Sequence, residues 1–185
     1  MAGSPLDAIA YLKAEVPASD PAPDLQLNAD DSPVLKTLGG GLLVAYLLDE
    51  GNRFSYVQGR HLRAAHVDAD ELHRRAVKNL QQAADGRVTI QQSGPIWGLF
   101  FDGNFEASLI LLDELWDVSL RDYHGGEPVI AVPARDVLCF SNSSSAAGIA
   151  EMRAAIERVW PTGDHLISRN IFRRRGREWV ALEPD

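Results

Sequence analysis

The sequence predicts an α+β fold, in which helices pack on an antiparallel or mixed sheet and strand pairs alternate with helices along the chain. Two observations support this class. Short apolar runs occur in pairs, separated by turns that contain glycine, proline, asparagine or aspartate, and this pattern is typical of hairpins. Longer segments between the pairs carry apolar residues at helical spacing. We expect the apolar runs from residue 42 to residue 140 to form one sheet.

The length of 185 residues and the hydrophobic content of 45% are typical of one globular domain that folds without a metal or a disulfide. We expect residues 25–185 to form this single α+β domain. Residues 1–24 are predicted to be an N-terminal helix and a linker. The helix is predicted over 7–16, where apolar residues lie near one side. Residues 18–24 alternate proline with small and acidic residues, which favours an extended linker.

The first strand pair follows three glycines at positions 39–41. The apolar run 42–48 predicts a buried strand. A polar turn at 49–52 then leads into a strand over 53–57, and we expect these two strands to pair.

A helix and a second strand pair come next. Asp68 is a predicted N-cap with Glu71 at the third helical position, and Gly86 marks the end of the helix. Two short strands are predicted over 87–92 and 96–101, with a glycine and proline turn between them.

A long helix is predicted over 105–120. Apolar residues surround much of its circumference, so we expect it to be covered on more than one side and to lie near the core. Strands are predicted over 129–132 and 137–140. The intervening 133–136 is predicted to be a bend, a bulge or an edge, because proline cannot donate to a strand ladder.

The last elements are a helix and a hairpin. The helix is predicted over 146–160 and ends at Pro161. The hairpin is predicted to pair 166–172 with 178–182 around a turn of arginine and glycine.

Charge and cysteine content restrict the class of protein. The formal net charge of −8 disfavours nucleic-acid binding by the molecule as a whole, since phosphates would be repelled. Cys139 is the only cysteine, so no intramolecular disulfide can form and a reducing, cytoplasmic location is expected. No run approaches the roughly 20 apolar residues of a membrane span. Arginine outnumbers lysine fifteen to three, which indicates a GC-rich bacterial genome.

Three groups of residues between positions 72 and 140 resemble the YtpQ-like bacterial family, a domain of unknown function. The residues that carry the resemblance are Ala76, Val77, Asn79 and Leu80, then Phe101, Asp102, Gly103, Glu106, Ala107 and Ser108, then Ala131, Val132, Pro133, Arg135, Asp136, Val137 and Leu138. The resemblance implies a shared fold and no established chemistry.

An acidic stripe is the first candidate site. On a regular helix, Glu106, Asp113 and Asp117 would lie within about 40° of one another. Three close carboxylates could hold a divalent cation or receive a basic partner. The structural alternative is the solvated edge of a buried helix, with Arg121 paired to Asp117.

A charged pair is the second candidate. Arg135 and Asp136 lie between two apolar strands, and in a cleft they could orient a ligand or serve acid–base chemistry. The structural alternative is a pair that stabilises a bend.

The third candidate is a cluster of five arginines with no acidic residue among them. With Trp179 nearby, the cluster could contact phosphates or an acidic protein surface. Alternatively, it is a solvated hairpin tip that discourages edge pairing. The cluster comprises Arg169, Arg173, Arg174, Arg175 and Arg177.

Other chemistry has weaker signals. Ser108 lacks the glycine pattern of a nucleophile elbow, and Cys139 lies in an apolar strand where a thiol is usually a core group. The five histidines form no zinc pattern. We expect no cofactor and no metal.

Three functional hypotheses remain. The favoured one is a non-catalytic protein-binding module, including one that neutralises a toxin or another effector, and its partner is expected to be another protein. The second is a hydrolase or metal-dependent enzyme that uses the acidic stripe and the Arg135–Asp136 pair. The third is nucleic-acid binding through the C-terminal arginines, which the net charge disfavours.

Overall fold

The computed structural model describes residues 4–15, 28–51 and 53–182. Their strands form two sheets with antiparallel pairing, which confirms the predicted α+β class. The small sheet contains β1 (Ile9–Ala14), β2 (Leu35–Gly39), β3 (Leu42–Asp49) and β4 (Phe54–Tyr56). The large sheet contains β5 (Thr89–Ser93), β6 (Ile96–Phe100), β7 (Pro128–Ala134), β8 (Val137–Asn142), β9 (Ile171–Arg175) and β10 (Glu178–Ala181). The α-helices are α1 (Gly59–Ala65), α2 (Ala69–Ala84), α3 (Arg121–His124) and α4 (Ala146–Val159).

The prediction of a single sheet is wrong, because both edges of β3 are occupied within the small sheet. β1 pairs along one edge of β3, and β2 and β4 pair along the other. The later strands therefore pair among themselves in the order β10-β9-β7-β8-β6-β5.

The predicted N-terminal helix over 7–16 is also wrong. Pro5–Asp7 is a single 3-10 turn, and β1 follows at once. β1 is covered on both faces: Ala10 packs toward α2, and Tyr11 packs toward the large sheet. A strand that is buried on both faces loses the alternation of polar and apolar residues, so its pattern resembles that of a short helix. The predicted linker over 18–24 lies outside the described residues.

The described residues stack in layers that bury three apolar clusters. α4 covers one face of the large sheet, with Met152 and Ile156 against Val129 and Cys139. The opposite face of that sheet packs on residues 105–120 and on the inner side of the small sheet. α2 covers the outer side of the small sheet. Each sheet is therefore packed on both faces.

Residues 105–120 do not form the predicted long helix. The segment contains a 3-10 turn at Ala107–Leu111, a non-helical residue at Leu112 and a π-helical turn at Leu115–Ser119. Leu109, Trp116 and Leu120 are fully buried, so the predicted core location is confirmed. The regular helix breaks because packing between two sheets outweighs local helix propensity.

The remaining predictions of secondary structure are confirmed with shifts of one or two residues at the ends, except that β9 covers 171–175 where a strand over 166–172 was predicted. α2 has the predicted N-cap, in which Asp68 Oδ1 accepts a hydrogen bond of 2.8 Å from the Glu71 backbone N–H. β7 and β8 form a hairpin with an irregular register between Ala131 and Ala134, and β9 and β10 form the last hairpin. No helix within the described ranges has the length and apolar character that a bilayer span requires.

Gly148 sets how closely α4 approaches β8. A β-carbon at this position would lie 2.7 Å from the β-carbon of Ser141, so Gly148→Ala forces the helix away from the sheet. We predict a loss of about 1–3 kcal/mol in the free energy of unfolding, measured by urea denaturation. Helix propensity alone would make Gly148→Ala more stable by about 1 kcal/mol. A loss of stability would therefore show that the close contact between α4 and β8 outweighs helix propensity.

The matched control is Ala150→Gly on the exposed side of the same helix. It removes one methyl group and should cost about 0.5–1 kcal/mol through helix propensity alone. A more stable Gly148→Ala protein would contradict the close packing of α4 on β8.

Candidate functional site

Glu106 does not belong to an acidic stripe. Its side chain is buried, and Oε1 accepts backbone hydrogen bonds of 2.9 Å from Phe101 N–H and 2.8 Å from Gly103 N–H. The three-carboxylate stripe required one regular helix, and the break at Leu112 removes that helix. Glu106 therefore stabilises the turn after β6.

Asp113 and Asp117 do come together, on the guanidinium of Arg174. Arg174 Nη2 lies 2.8 Å from Asp113 Oδ1 and 3.0 Å from Asp117 Oδ1. The Arg174 side chain is only 4% exposed, and its guanidinium lies 5.3 Å from the centroid of the Trp179 ring. Arg174 Nε and Nη1 are buried without a hydrogen-bond partner among the described residues. The buried Arg174 guanidinium thus pairs with two partly exposed carboxylates.

Trp179 is a core residue, whereas the sequence suggested an accessible aromatic contact. Its indole N–H donates a 2.9 Å hydrogen bond to the Ile110 carbonyl. Its ring meets the Trp116 ring edge to face, with centroids 5.0 Å apart. Trp179 therefore joins β10 to the buried segment.

The arginine cluster is divided between the two faces of β9 and is largely neutralised. Consecutive strand residues point to opposite faces, which separates Arg174 from Arg173 and Arg175. Arg173 pairs with Glu127 at 3.5 Å, and Arg177 pairs with Asp113 at 3.5 Å.

Arg169, the first member of the cluster, has partners of its own. It pairs with Glu157, and its guanidinium lies 5.5 Å from the centroid of the Trp160 ring. Arg175 is exposed. The five arginines therefore do not present one uncompensated cationic surface.

Arg135 and Asp136 form the turn between β7 and β8, and their side chains separate. Arg135 is half-buried and lines a small cavity, whereas Asp136 is exposed and does not line it. Arg135 shares the wall of this cavity with Tyr11. Arg135 thus faces a cleft, as the functional interpretation of this charged pair required, but the Asp136 carboxylate does not.

The candidate nucleophiles have structural surroundings. Burial raises the pKa of the Cys139 thiol to about 12, which disfavours the reactive thiolate. Ser108 Oγ accepts a 3.0 Å hydrogen bond from the Leu12 backbone N–H and so ties the outer edge of β1 to residues 105–120. In the ranges that the structure describes, no group of three histidine, cysteine, aspartate or glutamate residues could hold a metal ion.

Two adjoining cavities, of about 300 and 460 Å³, form a groove that the sequence did not predict. Their walls share Gln81, Leu112 and Glu114. We call this surface the acidic groove, because four carboxylates and one arginine line it. The charged residues are Asp85, Asp113, Glu114, Asp117 and Arg177.

Apolar side chains line the acidic groove between its charges, among them Ile90, Leu111 and Leu115. Val118 lies in its wall and is 66% exposed. The predicted regular helix over 105–120, buried near the core, gave no reason to expect that Val118 would be exposed. The π-helical turn at Leu115–Ser119 changes which side chains face outward, and we know no sequence signal that would have revealed it.

We predict that Arg174→Ala lowers the free energy of unfolding by about 3 kcal/mol, measured by urea denaturation. The substitution removes the cation between Asp113 and Asp117 and opens a cavity against Trp179. The control is Arg177→Ala, whose side chain is 78% exposed and lies 3.5 Å from Asp113. The control should change stability by less than about 0.5 kcal/mol. Equal effects of the two substitutions would contradict a structural role for Arg174.

The chain matches no family model, no curated protein and no solved structure. The resemblance to the YtpQ-like family stays a prediction that rests on the residues quoted above. Function is therefore inferred from the surfaces and cavities of the molecule itself.

Proposed function

We propose that this chain is a non-catalytic protein-binding module whose acidic groove receives a partner segment with cationic and apolar side chains. One observation carries the proposal: Val118 is 66% exposed in the wall of a groove that Asp85 and Glu114 also line, besides the arginine-paired Asp113 and Asp117. A surface that combines apolar and acidic groups is complementary to a basic, amphipathic segment. A cationic effector or toxin is one class of partner with that chemistry.

The two kinds of side chain in the acidic groove would contribute differently. Apolar surface removed from water supplies about 25 cal/mol per Å², so Val118, Leu115 and Ile90 would provide most of the affinity. Exposed ion pairs contribute only about 0.2–1 kcal/mol each. Glu114 and Asp85 would therefore act mainly by orienting the partner and by raising the rate of association. Binding of this kind weakens moderately as salt concentration rises.

The enzyme hypothesis has less support, because the residues on which it depended lie in different surroundings. Glu106 accepts backbone hydrogen bonds, and Asp113 and Asp117 contact Arg174. Asp136 is exposed and does not line the cavity that Arg135 lines.

The nucleic-acid hypothesis also has less support. Arg169, Arg173, Arg174 and Arg177 each pair with a carboxylate of this chain. Phosphate groups would have to compete with those carboxylates, in a molecule whose net charge is −8.

The proposal is tested by photo-crosslinking in cells of the organism that encodes the chain. A photoreactive p-benzoylphenylalanine replaces Val118 in the acidic groove. The control places it at Val180 on β10, which is 44% exposed. We expect a saturable crosslink to a basic protein from position 118 and none from position 180. An excess of the same protein without p-benzoylphenylalanine should reduce the yield of this crosslink.

Charge reversal then tests the acidic groove itself. Asp85→Lys with Glu114→Lys should lower the yield of the crosslink from position 118 about tenfold, because both substitutions place like charges against the partner. The matched control is Asp136→Lys with Glu178→Lys, which makes the same change in net charge at exposed positions elsewhere. An equal loss in both double variants, or equal crosslinking from both probe positions, would contradict the proposal.

A further inference from the structure

A small cavity lies between the small sheet, the loop before Ala107 and the turn that joins β7 to β8. Its volume is about 120 Å³. Aromatic rings make most of its wall and a guanidinium contributes charge. We call it the arginine pocket, and its principal residues are Tyr11, Phe54, Tyr56, Phe105, Arg135 and His165.

Among the residues that the structure describes, no acidic one lines the arginine pocket, although the chain as a whole carries a net charge of −8. Arg135 forms no ion pair with any carboxylate in the described part of the chain, and it shares the wall of the pocket with the neutral side chain of Tyr11. Lys13 lies close by, and its Nζ donates a 2.9 Å hydrogen bond to the Tyr56 hydroxyl. A half-buried cation without a counter-ion favours the binding of an anion, because an anion replaces the solvation that the guanidinium has lost.

Backbone contacts hold Arg135 in place without using its side chain. The Arg135 N–H donates a 3.2 Å hydrogen bond to the His165 carbonyl, and the Arg135 carbonyl accepts a 2.9 Å hydrogen bond from the Ala107 N–H. His165 itself has a left-handed backbone with φ of 49°. Such a conformation costs about 1–3 kcal/mol outside glycine and is concentrated at functional sites.

The rings of the arginine pocket are fixed against one another. Tyr11 and Phe105 meet edge to face with centroids 5.5 Å apart, and Phe54 and Phe105 do so at 5.6 Å. A cavity of about 150 Å³ with an apolar lining accommodates benzene. The arginine pocket is slightly smaller but open to solvent at Phe54, which is 44% exposed, so a single ring with a polar substituent fits its size.

We propose that the arginine pocket binds a small carboxylate that carries one aromatic ring, with the carboxylate on Arg135 and the ring against Phe54 and Phe105. Arg135 is suited to a carboxylate, because a guanidinium forms paired hydrogen bonds with the two oxygen atoms. The edge-to-face geometry of the wall suits an aromatic ring better than an alkyl chain. This proposal is independent of the acidic groove, with which the arginine pocket shares no residue.

The test is a titration of the full, isotope-labelled chain with benzoate, followed by ¹H–¹⁵N NMR. We expect saturable shifts confined to the backbone amides around the arginine pocket, with a Kd on the order of 1 mM, the range for a ligand of this size. Benzyl alcohol presents the same ring without the charge and should bind at least about tenfold more weakly. Inorganic phosphate presents charge without a ring and should also bind more weakly than benzoate.

Arg135→Gln should weaken benzoate binding at least about tenfold, because it removes the charge and keeps most of the side-chain volume. The control Arg153→Gln, at an exposed position on α4, should leave benzoate binding unchanged. Unchanged binding in Arg135→Gln would overturn the proposal, as would the absence of saturation with benzoate up to about 20 mM, far above the expected Kd. Equal affinity for benzoate and benzyl alcohol would contradict the proposed role of the Arg135 charge. This comparison uses the unaltered chain, so it does not depend on whether a variant folds.

Discussion

The burial of residues 105–120 between the two sheets is the constraint on which the rest of the structure depends. Trp116 is only 1% exposed, its indole N–H donates a 3.0 Å hydrogen bond to the Leu109 carbonyl, and its ring contacts those of Phe140 and Trp179. One apolar cluster includes side chains from β1 and β3, from this segment and from the large sheet. Residues 114 and 117–119 are the exposed part of this segment, and its other apolar side chains pack between the sheets. Its 3-10 and π-helical turns place its apolar side chains against both sheets at once.

Both proposed binding surfaces follow from the course of this segment. At its start, Phe105 closes one wall of the arginine pocket, and the Ala107 N–H holds the Arg135 backbone. At its end, the π-helical turn exposes Val118 and places Asp117 on Arg174. The same burial that joins the sheets therefore positions an anion-binding pocket at one end and an acidic groove at the other. The two surfaces carry opposite charge, so each favours a different class of ligand.

Local signals explain what the sequence predicted correctly. α2 begins at an Asp68 cap and keeps helical spacing, and β3 is a long apolar run with a turn after it, so neither depends on distant residues. β1 was missed because a short strand covered on both faces has no alternation to detect. The partners of the clustered arginines could not be predicted, because Asp113 and Asp117 are far from Arg174 in the sequence and meet it only through tertiary packing. The arginine pocket combines Tyr11, Phe54 and His165 from distant parts of the chain, and no local pattern brings them together.

Native-state hydrogen exchange tests most directly whether the buried segment joins the two sheets into one cooperative unit. Backbone amides in β3 of the small sheet and in β7 of the large sheet would be followed across low concentrations of denaturant. If both sheets depend on residues 105–120, the most protected amides of each should open with the same free energy, equal to that of global unfolding. Exchange of β3 at a distinctly lower free energy, while β7 stays protected, would show that the sheets unfold separately and would contradict the account.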